Sequence, residues 1–422
     1  MAAVMVLGNG GREHALAWKL ARSPAVDRVY CVPGNPGTAR EPDCENLPLS
    51  PLDAAGVVAA AHALGVALVV IGPEAPLVSG VSNALRLAGF PVFGPDARAA
   101  RLEGSKAFAK SFMERHGIPT AAYGRFTEAD PAERYLSAQP LPIVIKADGL
   151  ASGKGVVVAQ TRPEALDALH RFLEWGPVVI EEFLEGEEAS HIAIVSDGQV
   201  LSLEGSQDHK RLGDEDRGPN TGGMGAYSPT PVLDAAMSER VRREIMLPAT
   251  RGLIADRLPY RGFLYAGIMI TAQGPRVLEF NCRLGDPETQ PLLMRLHSDL
   301  YALLLQAARG DALPPALDWD ARPALCVVLA APGYPDHPLK GARIQGLPAP
   351  EALPEHQKIF HAGTRESGGQ LYTDGGRVLG ITVLGSSISA AQAEAYALAR
   401  QISWPGLQFR QDIGWRARPG QC

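Results

Sequence analysis

The sequence predicts a multidomain protein of α/β and α+β parts. An N-terminal parallel, doubly wound α/β domain comes first, a middle section with a small α+β lobe follows, and a small β-rich C-terminal domain ends the chain. Three observations predict this. At 422 residues the chain is too long for one ordinary core. Its first hundred residues alternate short apolar strands with amphipathic helices, the pattern of a parallel sheet. The texture then changes twice: near residue 120, where strands flank a glycine-rich turn, and after the proline-rich stretch from Leu313 to Pro323.

In order, the first strands are expected at Val4–Leu7, Val29–Val32, Ala67–Ile71 and Val92–Phe93, with helices near His14–Arg22, Asp53–Ala63 and Val81–Ala88. Ligands of such a sheet sit beyond the carboxyl ends of its strands. Those ends carry Gly8-Asn9-Gly10-Gly11, Pro33-Gly34-Asn35-Pro36-Gly37 and Gly72-Pro73-Glu74. A helix-prone stretch from Ala97 to His116 links this domain to the next. Strands at Ile143–Lys146 and Gly155–Ala159, a helix at Glu164–Leu173 and a strand at Val178–Phe183 make the small lobe. Strands Phe263–Ile270 and Arg276–Asn281 and helices Met237–Ala255 and Asp299–Arg309 follow. The tail reads as strands Ala324–Ala330, Lys358–Ala362 and Val378–Leu384, closed by a helix at Ala390–Ile402.

Hydrophobic residues make up 46% of the chain and charged residues 20%, which describes a packed globular protein and excludes a disordered one. The net charge of -6 offers no basic surplus, so no nucleic-acid partner is expected. The start reads as a first strand, not as a signal peptide, and no apolar run is long enough to span a bilayer. Five scattered cysteines, Cys31, Cys44, Cys282, Cys326 and Cys422, form no Cys-x-x-Cys pair. They fit free thiols in a reducing cytoplasm.

The most informative segment runs from Val277 to Glu288. Strand side chains alternate faces, so Glu279, Asn281 and Arg283 should point the same way. Two hard oxygen ligands beside a fixed cation would seat a Mg²⁺-bound nucleotide next to an anionic substrate. The same residues also fit a plain salt bridge. Gly8-Asn9-Gly10-Gly11-Arg12-Glu13 follows a strand and opens a helix, a seat for an anion. Glu13 stands where a dinucleotide fingerprint needs its third glycine, and the second strand ends in Val32-Pro33 without an acidic residue, so a phosphate-bearing small molecule fits better than NAD; the segment also fits a plain glycine turn that packs helix on strand. Lys146-Ala147-Asp148-Gly149-Leu150-Ala151-Ser152-Gly153-Lys154-Gly155 is not a Walker loop; it reads as a hairpin flap able to close over a triphosphate, or else as a surface hairpin. Val178 to Glu188 joins an apolar strand to a carboxylate cluster, which could line an adenine and its ribose or simply be solvated. Ser206 to Arg211 and Gly218 to Gly225 are polar, glycine-dense loops suited to anions, or else surface loops. His209 beside Asp208 invites a general base, but no Ser or Cys nucleophile motif accompanies it.

These motifs occur together and in order. With Gly72-Pro73-Glu74-Ala75-Pro76-Leu77, Glu103-Gly104-Ser105-Lys106, Pro219 to Tyr227 and Asp412-Ile413-Gly414-Trp415-Arg416-Ala417, the chain resembles the phosphoribosylamine–glycine ligase family from end to end. That family is of the ATP-grasp type and belongs to purine biosynthesis. The resemblance implies an N-terminal substrate-binding domain (1–102), an ATP-grasp domain (103–323, with a mobile small lobe at about 120–190) and a C-terminal domain (324–422). It implies ATP with Mg²⁺ or Mn²⁺, glycine and 5-phosphoribosylamine as small-molecule partners, a cytoplasmic setting without membrane or nucleic acid, and a chain that could act as a monomer.

Carried over by position, Lys106 and Lys146 would reach the ATP phosphates, with Gly153, Lys154 and Gly155 of the flap above them. Glu181, Glu182, Phe183 and Leu184 would line the adenine, and Glu188 the ribose. Glu279 and Asn281 would hold the metal. Arg283, with Asp208, Lys210, Asn220, Thr221 and Gly222, would place glycine. Gly8, Asn9, Gly10, Gly11, Arg12 and Glu13, with Pro73 and Glu74, would take phosphoribosylamine. Arg283, Lys146 and Lys210 form the expected catalytic set. Two features depart from the family pattern: a short loop between Leu173 and Val178, and Glu204-Gly205 in place of small apolar residues. The rival readings are another ATP-grasp carboxylate–amine ligase, a dinucleotide oxidoreductase and a non-catalytic ATP-binding regulator. Intact Glu279 and Asn281 disfavour the last.

Overall fold

Five strands, Ala2–Gly8, Val26–Pro33, Cys44–Asn46, Val66–Ile71 and Val92–Phe93, form an all-parallel sheet in the spatial order third, second, first, fourth, fifth. The computed structural model describes residues 1–150 and 155–417. A parallel sheet covered on both faces needs strands that are apolar throughout. Val4 to Leu7 and Leu68 to Val70 meet that need, with no exposed surface. Each such side chain contributes about 1.5–3 kcal/mol of burial. The strand order reverses between the first and fourth strands, so Gly8-Asn9-Gly10 and Gly72-Pro73-Glu74 leave the sheet side by side.

The first helix spans Gly11–Ala21, three residues earlier than expected. Glu13 contributes to this: its carboxylate reaches back to accept the N-cap Gly10 N–H at 2.7 Å, the return half of a capping box. The stretch expected as one helix from Ala97 to His116 is two, Arg101–Gly104 and Lys106–Arg115. Ser105 breaks it with extended backbone (φ -146°, ψ 112°), and its hydroxyl accepts the Phe108 N–H at 3.1 Å. A serine stabilises a helix start better than a helix interior.

The small lobe is an antiparallel sheet of Tyr123–Phe126, Val178–Glu182, Ile143–Ala147 and Val156–Ala159, in that order, carrying helices Ala129–Ser137 and Arg162–Leu173. Its core, built on Leu136, Ile145, Leu169, Phe172 and Ile180, is a hydrophobic cluster of its own. The neighbouring sheet contains Gln199–Ser202, Glu187–Ser196, Arg261–Thr271 and Gly274–Asn281. Its ten-residue strand Glu187–Ser196 was not foreseen: Glu187, exposed to solvent, and Glu188, half-buried, open it. Gly186 allows the approach, since a Cβ there would stand 2.1 Å from the Ile270 carbonyl oxygen. The helix expected at Met237–Ala255 is interrupted by a wider turn at Arg242–Met246, next to Pro248, which has no N–H to give.

The C-terminal strands Ala324–Ala330, Arg377–Leu384 and Gln357–His361 form one sheet with Gly225–Ser228 and Gln207–Asp208 at its other edge, backed by helix Ile388–Ala399. The loops between 208 and 225 therefore hang from the C-terminal sheet while lying beside the central one. Glu204, the departure from the family pattern, faces Arg295 at 3.5 Å. Cys31, Cys44, Cys282 and Cys326 are free thiols. Among the described residues no helix is long and apolar enough to cross a membrane.

Candidate active site

A cavity of about 960 Å³ runs between the small lobe, the central sheet, the N-terminal domain and the C-terminal sheet. At its small-lobe end stand Lys106, Lys110, Lys146 and Glu181. Lys146 Nζ donates to Glu181 Oε2 at 2.9 Å and to the Leu278 carbonyl at 3.2 Å. Lys110 Nζ reaches the same Glu181 oxygen at 3.0 Å. Lys106 Nζ donates to the Gly149 carbonyl at 2.9 Å, at the root of the flap. Burial holds Lys106 below the usual lysine value, and Glu279 offsets this only in part. Val144, Val156, Val158 and Leu278 supply an apolar wall, with Phe183 and Leu184 at the rim. Glu182 also lines the cavity, but its carboxylate is committed elsewhere, accepting from the Ala122 N–H at 2.9 Å and Arg276 at 3.0 Å. Gly155 lines the cavity; Gly153 and Lys154 lie outside the described residues.

At the centre, Glu279, Asn281 and Arg283 meet as their alternation predicts, although Arg283 lies just past the strand end. Arg283 Nη2 donates to Asn281 Oδ1 at 3.1 Å, and Asn281 Nδ2 lies 3.5 Å from Glu279 Oε1. Burial would raise the Glu279 pKa, but Lys210, Lys146, Lys106 and Arg283 outweigh it and hold the carboxyl below its ordinary range. Glu279 and Asn281 thus present hard oxygens, one of them ionised, which suits a hard divalent cation. Among the described residues no group of three or more His, Cys, Asp or Glu could hold a metal ion alone. An ion here would need oxygens from its ligand as well.

Lys210 pairs with Glu188, so the residue expected on a ribose already has a protein partner. Burial, reinforced by Glu288, Glu188 and Glu279, pushes Asp208 well above the usual carboxylate range, with Lys210 opposing. Behind them Ser190 Oγ donates to Glu288 Oε1 at 3.0 Å and lies 2.9 Å from the Tyr265 hydroxyl. Thr221 is fixed to the Lys210 carbonyl through its N–H at 2.7 Å and its hydroxyl at 2.9 Å. Gly222 donates to the Tyr334 hydroxyl at 2.9 Å.

At the far end are Arg12, Glu74, Asp286 and Arg377. Arg12 donates through Nε to Glu13 at 2.6 Å and through Nη1 to the Leu284 carbonyl at 3.0 Å; its Nη2 is 4.0 Å from Glu74. Arg283 Nε, 3.6 Å from Glu74, has no hydrogen-bond partner among the described residues. Glu103 grips the opposite side of that guanidinium at 2.7 Å and accepts the Cys282 N–H at 2.7 Å. Of the residues expected here, Gly8, Asn9, Gly10, Gly11, Glu13 and Pro73 do not line the cavity. The Gly10 amide, read as an anion donor, is taken by Glu13.

Sequence reasoning passed over Lys110, Glu103, Asp286, Glu288, Tyr265, Tyr334 and Arg377, all of which line the cavity. Lys110 had a signal, since it follows Lys106 by four residues on one helix face. Asp286 and Glu288 sit inside the segment singled out, and Glu103 beside a quoted motif. Arg377, in a strand 94 positions beyond Arg283, had none.

Comparison with known proteins gives a consistent picture. Phosphoribosylglycinamide synthetase matches in three successive pieces: its N domain over residues 2–103, its ATP-grasp (A) domain over 104–289 and its C domain over 324–416. The phosphoribosylamine–glycine ligases of Vibrio parahaemolyticus and Allochromatium vinosum are 53% and 54% identical, over 98% of each chain. The crystal structure of the phosphoribosylamine–glycine ligase of Thermotoga maritima superposes with a TM-score of 0.82 at 36% identity, covering 98% of this chain and 100% of that one.

Proposed function

The chain belongs to the phosphoribosylglycinamide synthetase family, and from that premise we propose that it joins glycine to 5-phosphoribosylamine with ATP, giving glycinamide ribonucleotide, ADP and phosphate. The observation that carries this reading is the place of Arg283. It stands between an end rich in lysines and an end built from Arg12, Glu74 and Arg377, with one N–H uncommitted. A cation there can hold a small carboxylate between a triphosphate and a second, phosphorylated substrate.

Lys106 and Lys146 take the nucleotide phosphates, and the valine wall with the 181–184 strand takes the base. Glu279 and Asn281 would hold Mg²⁺, or Mn²⁺ in its place. When bound, that ion supplies charge neutralisation at the phosphoryl group being transferred. Arg283 orients the glycine carboxylate so that one oxygen attacks the γ-phosphorus and the bond to ADP breaks. The lysines meet the negative charge spread over the transferred group. The amine of phosphoribosylamine then attacks the carbonyl carbon of glycyl phosphate; the C–N bond forms and phosphate leaves. The 5-phosphate is held by Arg12 and Arg377 in preference to the glycine loop, whose Gly10 N–H is occupied. Closure of the small lobe, which has its own core, keeps water from the acyl phosphate. A cytoplasmic setting, in which the free thiols Cys31, Cys44, Cys282 and Cys326 stay reduced, fits this reading.

The test is ADP release with Mg-ATP and glycine, with and without phosphoribosylamine made in situ from ribose 5-phosphate and ammonia. ADP formed only when both substrates are present is the expected result. Turnover indifferent to glycine would overturn the assignment of the carboxylate substrate.

A further inference from the structure

Lys110 is 2% exposed, and a buried ammonium is costly unless its donors are matched by fixed acceptors. Two oxygens take two of its three N–H groups: Glu181 Oε2 at 3.0 Å and Thr120 Oγ1 at 2.8 Å. The Thr120 hydroxyl proton goes to the Val277 carbonyl at 2.6 Å, so toward Lys110 its oxygen can only accept. The direction of every bond in this chain is therefore set. Lys146 Nζ meets the same Glu181 oxygen at 2.9 Å. Two ammonium groups on Oε2 fix the rotation of the carboxylate, and what that rotation leaves over is Oε1. This atom is buried, has no hydrogen-bond partner among the described residues, and belongs to a side chain that lines the cavity. A buried carboxylate oxygen without a donor calls for one from the ligand.

We propose that Lys110 is a positioning residue for nucleobase choice: by pinning Glu181 Oε2 it presents Oε1 as a fixed acceptor for the 6-amino group of adenine. The inference rests on the nucleotide reading given above. At the equivalent position guanine carries a carbonyl oxygen, so the same geometry sets acceptor against acceptor. A site built to accept from an N–H discriminates sharply against an analogue that lacks it. Without Lys110 the carboxylate keeps one anchor. It can then turn to share both oxygens with Lys146, which removes the acceptor from the base. Burial lowers Lys110 to about 8, with Glu181 opposing, so the ammonium is still protonated at neutral pH.

The experiment compares kcat/KM for Mg-ATP and Mg-GTP, and equilibrium binding of ADP and GDP, in wild type, Lys110→Met and Thr120→Val. Thr120→Val keeps every charge and removes only the second anchor of Lys110, so it serves if Lys110→Met does not fold. The expected result is a fall of about tenfold or more in the adenine-to-guanine ratio for Lys110→Met, carried by KM for ATP while KM for glycine holds, with a smaller fall for Thr120→Val. A residue that only supported the fold would lower the melting temperature and leave the ratio at its wild-type value; that outcome overturns the proposal. Wild-type protein that binds neither nucleotide would instead remove the nucleotide reading itself.

Discussion

Glu103→Gln tests the centre of the site without touching a residue assigned to substrate. The carboxylate makes two bonds, one from Arg283 Nη2 and one from the Cys282 N–H, each 2.7 Å long and each on a different oxygen. An amide has a single acceptor, so one of these donors must face an NH₂ group. Removing one partner of a buried ion pair costs about 3–5 kcal/mol. The lower end, about 3 kcal/mol, applies here, because the Arg283 side chain keeps 18% of its exposure and still has Glu74 3.6 Å from its Nε. If half or more of that loss appears in the transition state, kcat/KM for glycine falls by about tenfold to a hundredfold. KM for ATP should hold, since Lys106 and Lys146 are bound elsewhere. Steady-state kinetics with each substrate varied, together with a urea unfolding curve, measures both parts. Unchanged kcat/KM for glycine with an unchanged unfolding midpoint would refute the idea that Glu103 holds Arg283 in place.

Glu279→Ala and Lys146→Ala should each abolish ATP turnover while circular dichroism stays native, because Lys110 still compensates Glu181 in the second variant; turnover retained in either would sink the ATP-grasp assignment. Arg12→Ala should raise KM for phosphoribosylamine far more than KM for ATP, and equal effects on both would move that substrate elsewhere. His191 is neutral in the fold, lowered by burial from 6.5 to about 4. The unfolded imidazole takes up its proton below pH 6.5 and the folded one only near 4. Stability present above pH 6.5 is therefore lost as pH falls through that window, by about 3 kcal/mol in all. The urea midpoint should show this slope, and His191→Gln should flatten it. Cys282→Ala should keep kcat near wild type at a stability cost of about 1 kcal/mol, since burial pushes its thiol well above the usual range and leaves no thiolate to attack; a large loss of kcat would give the thiol a role in the chemistry.

Four of the five strands of the parallel sheet were legible because each contains a short apolar run followed by glycine or proline; the edge strand Cys44–Asn46 has no such run and was not. The hairpin of the small lobe was legible for the same reason. Glu187–Ser196 was not, because Ser190 and His191 interrupt its apolar pattern and two carboxylates begin it, although all of 189–196 is buried. Local pattern gives no account of Gly225–Ser228 pairing with Ala324–Ala330 about a hundred positions away. Period-two and period-3.6 readings describe one element at a time, and long-range pairing depends on what the remaining surfaces leave free.

The site shows the same division. Glu279, Asn281, Lys146 and Arg12 were readable as polar residues placed where apolar strands end, and Lys210 as a cation in a polar loop. The residues that fix them were not, since Glu103 and Lys110 sit on helices where a charged side chain usually faces water. Their burial follows from pairing: Glu103 lies under Arg283, and Lys110 under Glu181. This second layer decides what the first can do. Lys146 shares its carboxylate with Lys110, Lys210 is paired with Glu188, and Arg12 is held by Glu13. Lys106, by contrast, donates only to a carbonyl and has no ion pair among the described residues. The surplus of cationic charge thus collects at the root of the flap, which is where a triphosphate would supply the missing anions. A site arranged this way has no need of a nucleophilic side chain. Its work is to hold charges that the substrates complete, and the pairs that hold them are the residues whose replacement should separate binding from chemistry.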